Sequence, residues 1–255
     1  MSPSTSPPML DISEPQSRAA TRPLLSVIVP VHNERDTLST VVERLKAVDF
    51  GVVVELLLVN DGSNDGSREV LEGFRGDERI RVFHHSTNGG KGAAVQTGLE
   101  HSRGTYVVVQ DADMELDPAE LRGLLEMAVA SPGSACYGSR FLGDNRRFRG
   151  MPTYWANRLL TLICNLLAGL SLSDMNTCYK LMPTTTARRL HLTSRGFSME
   201  PEITIKLARL RVPILEKPVT YRPRDVRAGK KIRVTDFFRY LRAMAVYRWN
   251  KFDAS

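Results

Sequence analysis

Thr105-Tyr106-Val107-Val108-Val109-Gln110-Asp111-Ala112-Asp113 is an apolar, strand-like run that stops in two aspartates one residue apart. β-Branched and aromatic residues favour a buried, pleated strand, and an open α/β sheet binds ligands beyond the carboxyl ends of its strands. Carboxylates this close repel and resist burial unless a proton or a cation separates them. A hard divalent ion, Mg²⁺ or Mn²⁺, shared with a diphosphate answers that problem. An acidic turn or a helix cap would give the same residues, because Asp is common in both. The pair takes its meaning from its neighbours.

Upstream, apolar runs alternate with segments of helical spacing. Residues 24–31, 52–59 and 80–83 read as strands, whereas 38–48, 67–74 and 93–101 read as helices. After the strand at 106–109, residues 118–130 form a helix opened by Asp117 as N-cap and Pro118 at its first position. This alternation predicts an α/β fold with a mainly parallel, doubly wound sheet flanked by helices. Downstream the pattern changes. A strand at 134–139 precedes the basic loop Arg146-Arg147-Phe148-Arg149, then come a long apolar helix within 154–172 and a polar segment at 173–180. A helix near 201–210, a strand near 214–221 and a helical tail at 235–249 complete the chain. Three regions are expected: a disordered leader at 1–23, the main α/β domain at 24–233, and a basic amphipathic helix at 234–255.

Composition narrows the class. With 42% apolar and 25% charged residues the chain is an ordinary globular protein rather than a disordered or membrane-embedded one. The leader is rich in Ser, Pro and Thr and lacks the apolar stretch of a signal peptide. The segment at 154–172 is interrupted by Asn157, Arg158 and Asn165 and falls short of a membrane span. Three widely spaced cysteines show neither a disulfide framework nor a zinc spacing, which points to a reducing cytosol. The net charge of +7 points to a polyanionic partner: nucleic acid, anionic membrane or phosphorylated substrate.

Three polar clusters end three strands: Pro30-Val31-His32-Asn33-Glu34, Asn60-Asp61-Gly62-Ser63-Asn64-Asp65-Gly66, and Asp111-Ala112-Asp113. Parallel strands bring them to one crevice. Each alone reads as turn chemistry, and Asp65 or Ser67 is expected to be a cap. Neither GxGxxG nor GxxxxGK[ST] occurs, which argues against a dinucleotide fold or a P-loop.

These clusters, with Asn88-Gly89-Gly90-Lys91-Gly92, resemble the family 2 glycosyltransferases of the GT-A fold. Gly138-Ser139-Arg140, Asp174-Met175-Asn176-Thr177-Cys178-Tyr179-Lys180 and Gly229-Lys230-Lys231-Ile232 look like the polyprenyl-phosphate (dolichyl-phosphate) mannosyl- and glucosyltransferase branch. The resemblance covers roughly residues 24–248. It implies that Pro30, His32 and Glu34 line a nucleoside pocket and that Asp61 accepts a hydrogen bond from the base. Lys91 and Ala112 would complete the nucleotide-sugar site. Asp111 would face the sugar or ribose, and Asp113 would hold the metal against the diphosphate. Glu115, where several relatives carry Gln, would offer a further metal oxygen. His32 stands where Tyr is often seen and reads as a packing or stacking residue. Ala228 stands where relatives often have an acidic residue.

On the acceptor side the resemblance moves Arg140 from a surface residue towards phosphate binding. Arg147 and Arg149 are either a solvated face or a grip on an acceptor phosphate. Arg224, Lys230 and Lys231 lie on a loop of the kind that closes over a ligand. A lipid monophosphate is already ionised near neutral pH and needs positioning rather than a base. A hydroxyl acceptor would need one, with Asp174, Glu200 and Glu202 as candidates. Cations outnumber bases there, which favours the phosphate. The expected activity is inverting, metal-dependent hexosyl transfer from a nucleotide sugar of the GDP-mannose or UDP-glucose type to a polyprenyl monophosphate. Transfer to a saccharide hydroxyl is the alternative. Basic nucleic-acid binding is disfavoured by the acidic crevice, and a non-catalytic scaffold by the presence of Asp61, Asp111 and Asp113 together. The aromatic–cationic tail suits peripheral attachment to an anionic leaflet on the cytoplasmic side, with core packing of one face as its rival. A homo-oligomer is possible.

Overall fold

The computed structural model describes residues 24–143, 152–223 and 234–250. Its seven-stranded sheet has the order β3-β2-β1-β4-β6-β5-β7. The strands are β1 (Leu25–Val31), β2 (Val54–Asp61), β3 (Ile80–His85), β4 (Tyr106–Val109), β5 (Ala135–Ser139), β6 (Lys180–Pro183) and β7 (Ile214–Pro218). β6 runs antiparallel to both neighbours, and the other pairings are parallel. All strands but β6 therefore end on one edge of the sheet.

Strand periodicity fills both faces. Val27, Val29 and Val31 of β1 pack in one core cluster with Leu38, Val41, Val42 and Leu45 of α1 (Arg35–Ala47). The helix residues recur at the i, i+3, i+4, i+7 spacing of a core-facing stripe. Ile28 points the other way, into a cluster with Ala94, Val95 and Leu99 of α3 (Lys91–His101). Each such buried aliphatic side chain contributes roughly 1.5–3 kcal/mol over its exposed state. The remaining helices are α2 (Ser67–Glu72), α4 (Glu120–Ala130), α5 (Pro152–Ala168), α6 (Thr184–Arg189), α7 (Met199–Arg209) and α8 (Val234–Trp249).

Local readings of the sequence shift in places. The helix expected from Pro118 begins at Glu120, and Asp117 holds the preceding turn by accepting from the Ala119 N–H at 3.1 Å. The last strand stops at Pro218, and Tyr221 forms an isolated antiparallel bridge with Leu116 outside the strands. β6 and α6 were not expected: four residues within a mixed run carry no periodicity of their own. α5 starts earlier than its apolar stretch and stops at Gly169, whose φ of +67° is left-handed. α8 packs on α5 and α7, with Met244 fully buried among Leu160, Cys164, Met175 and Ile205. Cys136, Cys164 and Cys178 are all free and buried. The leader, Arg146, Arg147, Arg149, Arg224, Lys230 and Lys231 lie outside the described residues.

Candidate active site

The carboxyl ends of β1 and β2 are laced by short polar bonds. Asp65 accepts from the N–H of Ser67 at 2.9 Å and of Arg35 at 3.0 Å, while the Ser67 hydroxyl accepts from the Glu34 N–H at 3.0 Å. One aspartate thus serves the first turns of both α1 and α2. His32 lies beside Asp61: its Nδ1 is 2.9 Å from the Asp61 carbonyl, and Asn88 Nδ2 is 2.9 Å from its Nε2. A carbonyl only accepts, so Nδ1 carries the proton and Nε2 receives the amide of Asn88.

Asp61 carries structural bonds beyond the base contact that the resemblance implies. Its buried carboxylate accepts from the N–H groups of Gly89 at 2.8 Å and Gly90 at 2.7 Å, and from His85 Nδ1 at 2.7 Å. Of about four lone-pair positions, three hold the glycine loop to β2 and β3. Asp61 first shapes the backbone, with one position left for a ligand. Gly90 has φ +92° and ψ 159°, a region essentially reserved for glycine. A Cβ there would lie 2.5 Å from the Arg195 carbonyl oxygen. His85 is a site-shaping residue that sequence reasoning missed; its signal was the register that puts it opposite Asp61.

The turn after β4 carries the remaining carboxylates. Asp111 pairs with Lys91 Nζ at 2.8 Å, and Asp113 accepts from the Glu115 N–H at 3.1 Å. Met114 between them has φ +63°, a strained conformation for this residue type. Ala112 is buried in the core beneath the turn. Lys91 also reaches Glu200 Oε1 at 3.4 Å. Burial alone would lower its pKa, but Asp111 and Glu200 hold it well above the ordinary lysine value. Asp113 and Glu115 offer carboxylate oxygens on one turn at the ligand edge. That donor chemistry fits Mg²⁺ or Mn²⁺, which take one or two carboxylates and complete their shell with water and substrate phosphate. Among the described residues no cluster of three or more His, Cys, Asp or Glu forms an all-protein cage.

The acceptor side joins this turn through Tyr221. Its hydroxyl donates to Glu115 Oε2 at 2.8 Å, and the Arg140 guanidinium lies 5.2 Å from its ring centroid. Burial and the neighbouring Glu115 push the phenol up, so it stays protonated and donates. Arg140, just past β5, grips Asp174 with Nε at 2.7 Å and Nη2 at 2.9 Å, and its own N–H reaches the same carboxylate at 3.1 Å. Burial opposes the guanidinium charge, but Asp174 raises its pKa above even the ordinary arginine range.

Two of the candidate bases face inward. Asp174 is fully buried on Arg140 and orients it. Glu202, also fully buried, accepts from the Thr193 and Ser194 N–H groups and pairs with Lys206 at 2.6 Å. Glu200 is buried between Lys91 and Lys180.

This chain belongs to glycosyl transferase family 2, whose sequence profile matches residues 26–189. It is 34% identical over 155 residues to the undecaprenyl-phosphate 4-deoxy-4-formamido-L-arabinose transferase of Pseudomonas paraeruginosa, a match covering 59% of this chain and 44% of that protein. To the polyprenol monophosphomannose synthase of Mycolicibacterium smegmatis it is 28% identical over 216 residues, 80% of this chain and 79% of the other. The chain spans about half the length of the first curated relatives it matches. Its fold is that of the GT-A glycosyltransferases. Glucosyl-3-phosphoglycerate synthase of Mycobacterium tuberculosis, crystallised with Mn²⁺, uridine diphosphate and phosphoglyceric acid, superposes with a TM-score of 0.66 at 18% identity, covering 90% of this chain and 80% of that one.

Proposed function

We propose that the protein transfers a hexose, with inversion, from a nucleotide sugar to a polyprenyl monophosphate, using Mg²⁺ or Mn²⁺. The observation that carries the acceptor class is the state of the three candidate bases. Asp174, Glu200 and Glu202 are each paired with a largely buried cation, so no one of them stands ready to deprotonate a hydroxyl. A phosphate monoester is ionised without help; it needs a cation aimed at it, and Arg140 held by Asp174 supplies one. The names of the two bacterial relatives, one for undecaprenyl phosphate and one for polyprenol monophosphate, agree with this acceptor.

In this reading Lys91 and Asp111 sit at the sugar end of the donor. Pro30, His32 and Glu34 border the nucleoside with the loop that Asp61 fixes. Asp113 and Glu115 would hold the divalent ion, which when bound supplies positive charge to the departing diphosphate. Tyr221 keeps Glu115 and Arg140 in register, so the donor and acceptor phosphates meet across one tyrosine. Fixed charge of this kind lowers a barrier because it needs no reorganisation as charge develops.

Peripheral membrane attachment belongs to the same reading, and it rests on α5 rather than on α8, one face of which packs on α5 and α7 through Met244. Trp155, Leu159, Leu162 and Leu166 form an exposed stripe on one face of α5, at 47–77% exposure. The first turn of α5 meets Phe141, beside Arg140, through Tyr154. α5 contains no acidic residue, and the exposed Arg158 lies on it. No helix among the described residues is long and apolar enough to cross a membrane.

The test supplies Mn²⁺ or Mg²⁺, polyprenyl phosphate and a panel of radiolabelled nucleotide sugars, and counts label in organic-extractable lipid. Transfer from one donor is expected, falling by about 10³-fold in Asp113→Ala. No transfer from any donor would overturn the acceptor, and full activity in the variant would overturn the metal role. Flotation with anionic vesicles checks attachment, which Leu162→Glu/Leu166→Glu should weaken.

A further inference from the structure

Asp111, Lys91, Glu200 and Lys180 form a line of alternating charge running from the ligand edge into the interior. Side-chain exposure falls along it from 27% to 13%, 5% and 2%. Lys180 closes on the far oxygen of Glu200 and on the Thr177 carbonyl, with its ammonium 5.1 Å from the Tyr137 ring centroid. A buried ion pair is costly, and a well-packed apolar pair of similar volume is often as stable or more so. The inner pair therefore calls for a reason other than stability, and the mechanism above gives it none.

The reason lies in what it touches. Lys91 is the first residue of α3, and its backbone is fixed by the segment that leads to Glu200. The Ala93 N–H reaches the Arg195 carbonyl at 3.2 Å, and a Cβ on Gly92 would lie 2.1 Å from the Ser194 carbonyl oxygen. Backbone and ammonium of Lys91 are thus both set by residues 194–200. We infer that Glu200 and Lys180 are positioning residues for the donor site, holding the Lys91 ammonium beside Asp111 where the sugar end of the nucleotide sugar is bound. The stretch that ends in Lys180 begins at Asp174, which aims Arg140. One seven-residue segment of the chain therefore supports the donor cation at one end and the acceptor cation at the other.

This inference rests on the donor reading of Lys91 and Asp111, and the test separates the two. Steady-state kinetics with whichever nucleotide sugar of the panel supports transfer are run on the full chain, on Glu200→Gln/Lys180→Met, on Lys91→Ala, and on the triple variant. The paired substitution removes one charge of each sign and strands neither, so the variant should melt within a few degrees of wild type. Its KM for the nucleotide sugar should rise about tenfold, with the KM for polyprenyl phosphate unchanged. In the Lys91→Ala background the same pair should add little, because it acts through the side chain already removed. Wild-type donor KM in the paired variant, or fully additive losses in the triple variant, would overturn the positioning role. If Lys91→Ala alone leaves the donor KM unchanged, the donor reading itself fails.

Discussion

Asp61 and Asp174 are both buried carboxylates that accept from three donors, yet they serve different halves of the molecule. Asp61 spends its oxygens on two backbone N–H groups and a histidine, and so fixes the course of a glycine loop. Asp174 spends all three on one arginine, backbone and guanidinium together, and so fixes the aim of a side chain. The parallel half of the sheet, β1 to β4, uses its aspartate to set the backbone shape of its share of the crevice. The half that contains the reversed strand β6 builds its share from oriented charge. Backbone shape suits a flat base and ribose that must be bordered closely; oriented charge suits a phosphate.

The comparison would break most visibly at Asp174. Asp174→Asn removes the carboxylate that takes three bonds from the largely buried Arg140, a loss of about 3–5 kcal/mol. For a domain of this size that should lower the melting temperature by roughly 10 °C. Arg140→Met/Asp174→Leu should recover most of that stability and none of the transfer activity. An Asp174→Asn protein that melts with wild type would show that Arg140 has other support. On the backbone side, Gly90→Ala forces a Cβ towards the Arg195 carbonyl at a φ that alanine avoids. Urea unfolding should register a loss of about 1–3 kcal/mol, with the KM for nucleotide sugar rising and that for the lipid unchanged. A rise confined to the lipid KM would reverse the assignment of the two halves. The smallest effect falls at their junction. Tyr221→Phe keeps the ring under Arg140 and removes the hydroxyl from Glu115, so stability should drop by only about 0.5–1.5 kcal/mol. Half-saturation by Mn²⁺ in the transfer assay should shift about tenfold; an unchanged Mn²⁺ dependence would take Glu115 out of the metal site.

The difference between the halves also explains what the sequence revealed. β1, β2 and β4 are unbroken runs such as Val107-Val108-Val109, each followed by its polar cluster, so both the strands and their convergence were legible. The bonds that matter there join the ends of neighbouring strands, which their register brings together although the partners lie some 28–33 residues apart. Even so, nothing in Asn60-Asp61-Gly62 discloses that a loop 28 residues later returns to bond the Asp61 carboxylate. In the second half the partners are chosen by side-chain reach rather than by strand register. Arg140 meets Asp174 across 34 residues, and Tyr221 meets Glu115 across 106. β6 is too short to announce itself, and it carries Lys180 and follows directly on the segment that begins at Asp174. Arg140, Asp174 and Glu115 were visible as residues, but the pairing that gives each its role was not.

The three cysteines bear on how the protein is to be studied. All are buried, and burial pushes the thiols of Cys136 and Cys164 up to about 11 and about 12, with Cys178 also held well above the ordinary value. Thiolates are the reactive form, so near neutral pH the folded chain should present almost nothing to an alkylating reagent. A cysteine introduced at Leu166, which is 77% exposed, would then be the preferred point of attachment for a fluorophore in an otherwise unmodified protein. Its emission on mixing with vesicles would report directly whether this face of α5 enters the headgroup layer.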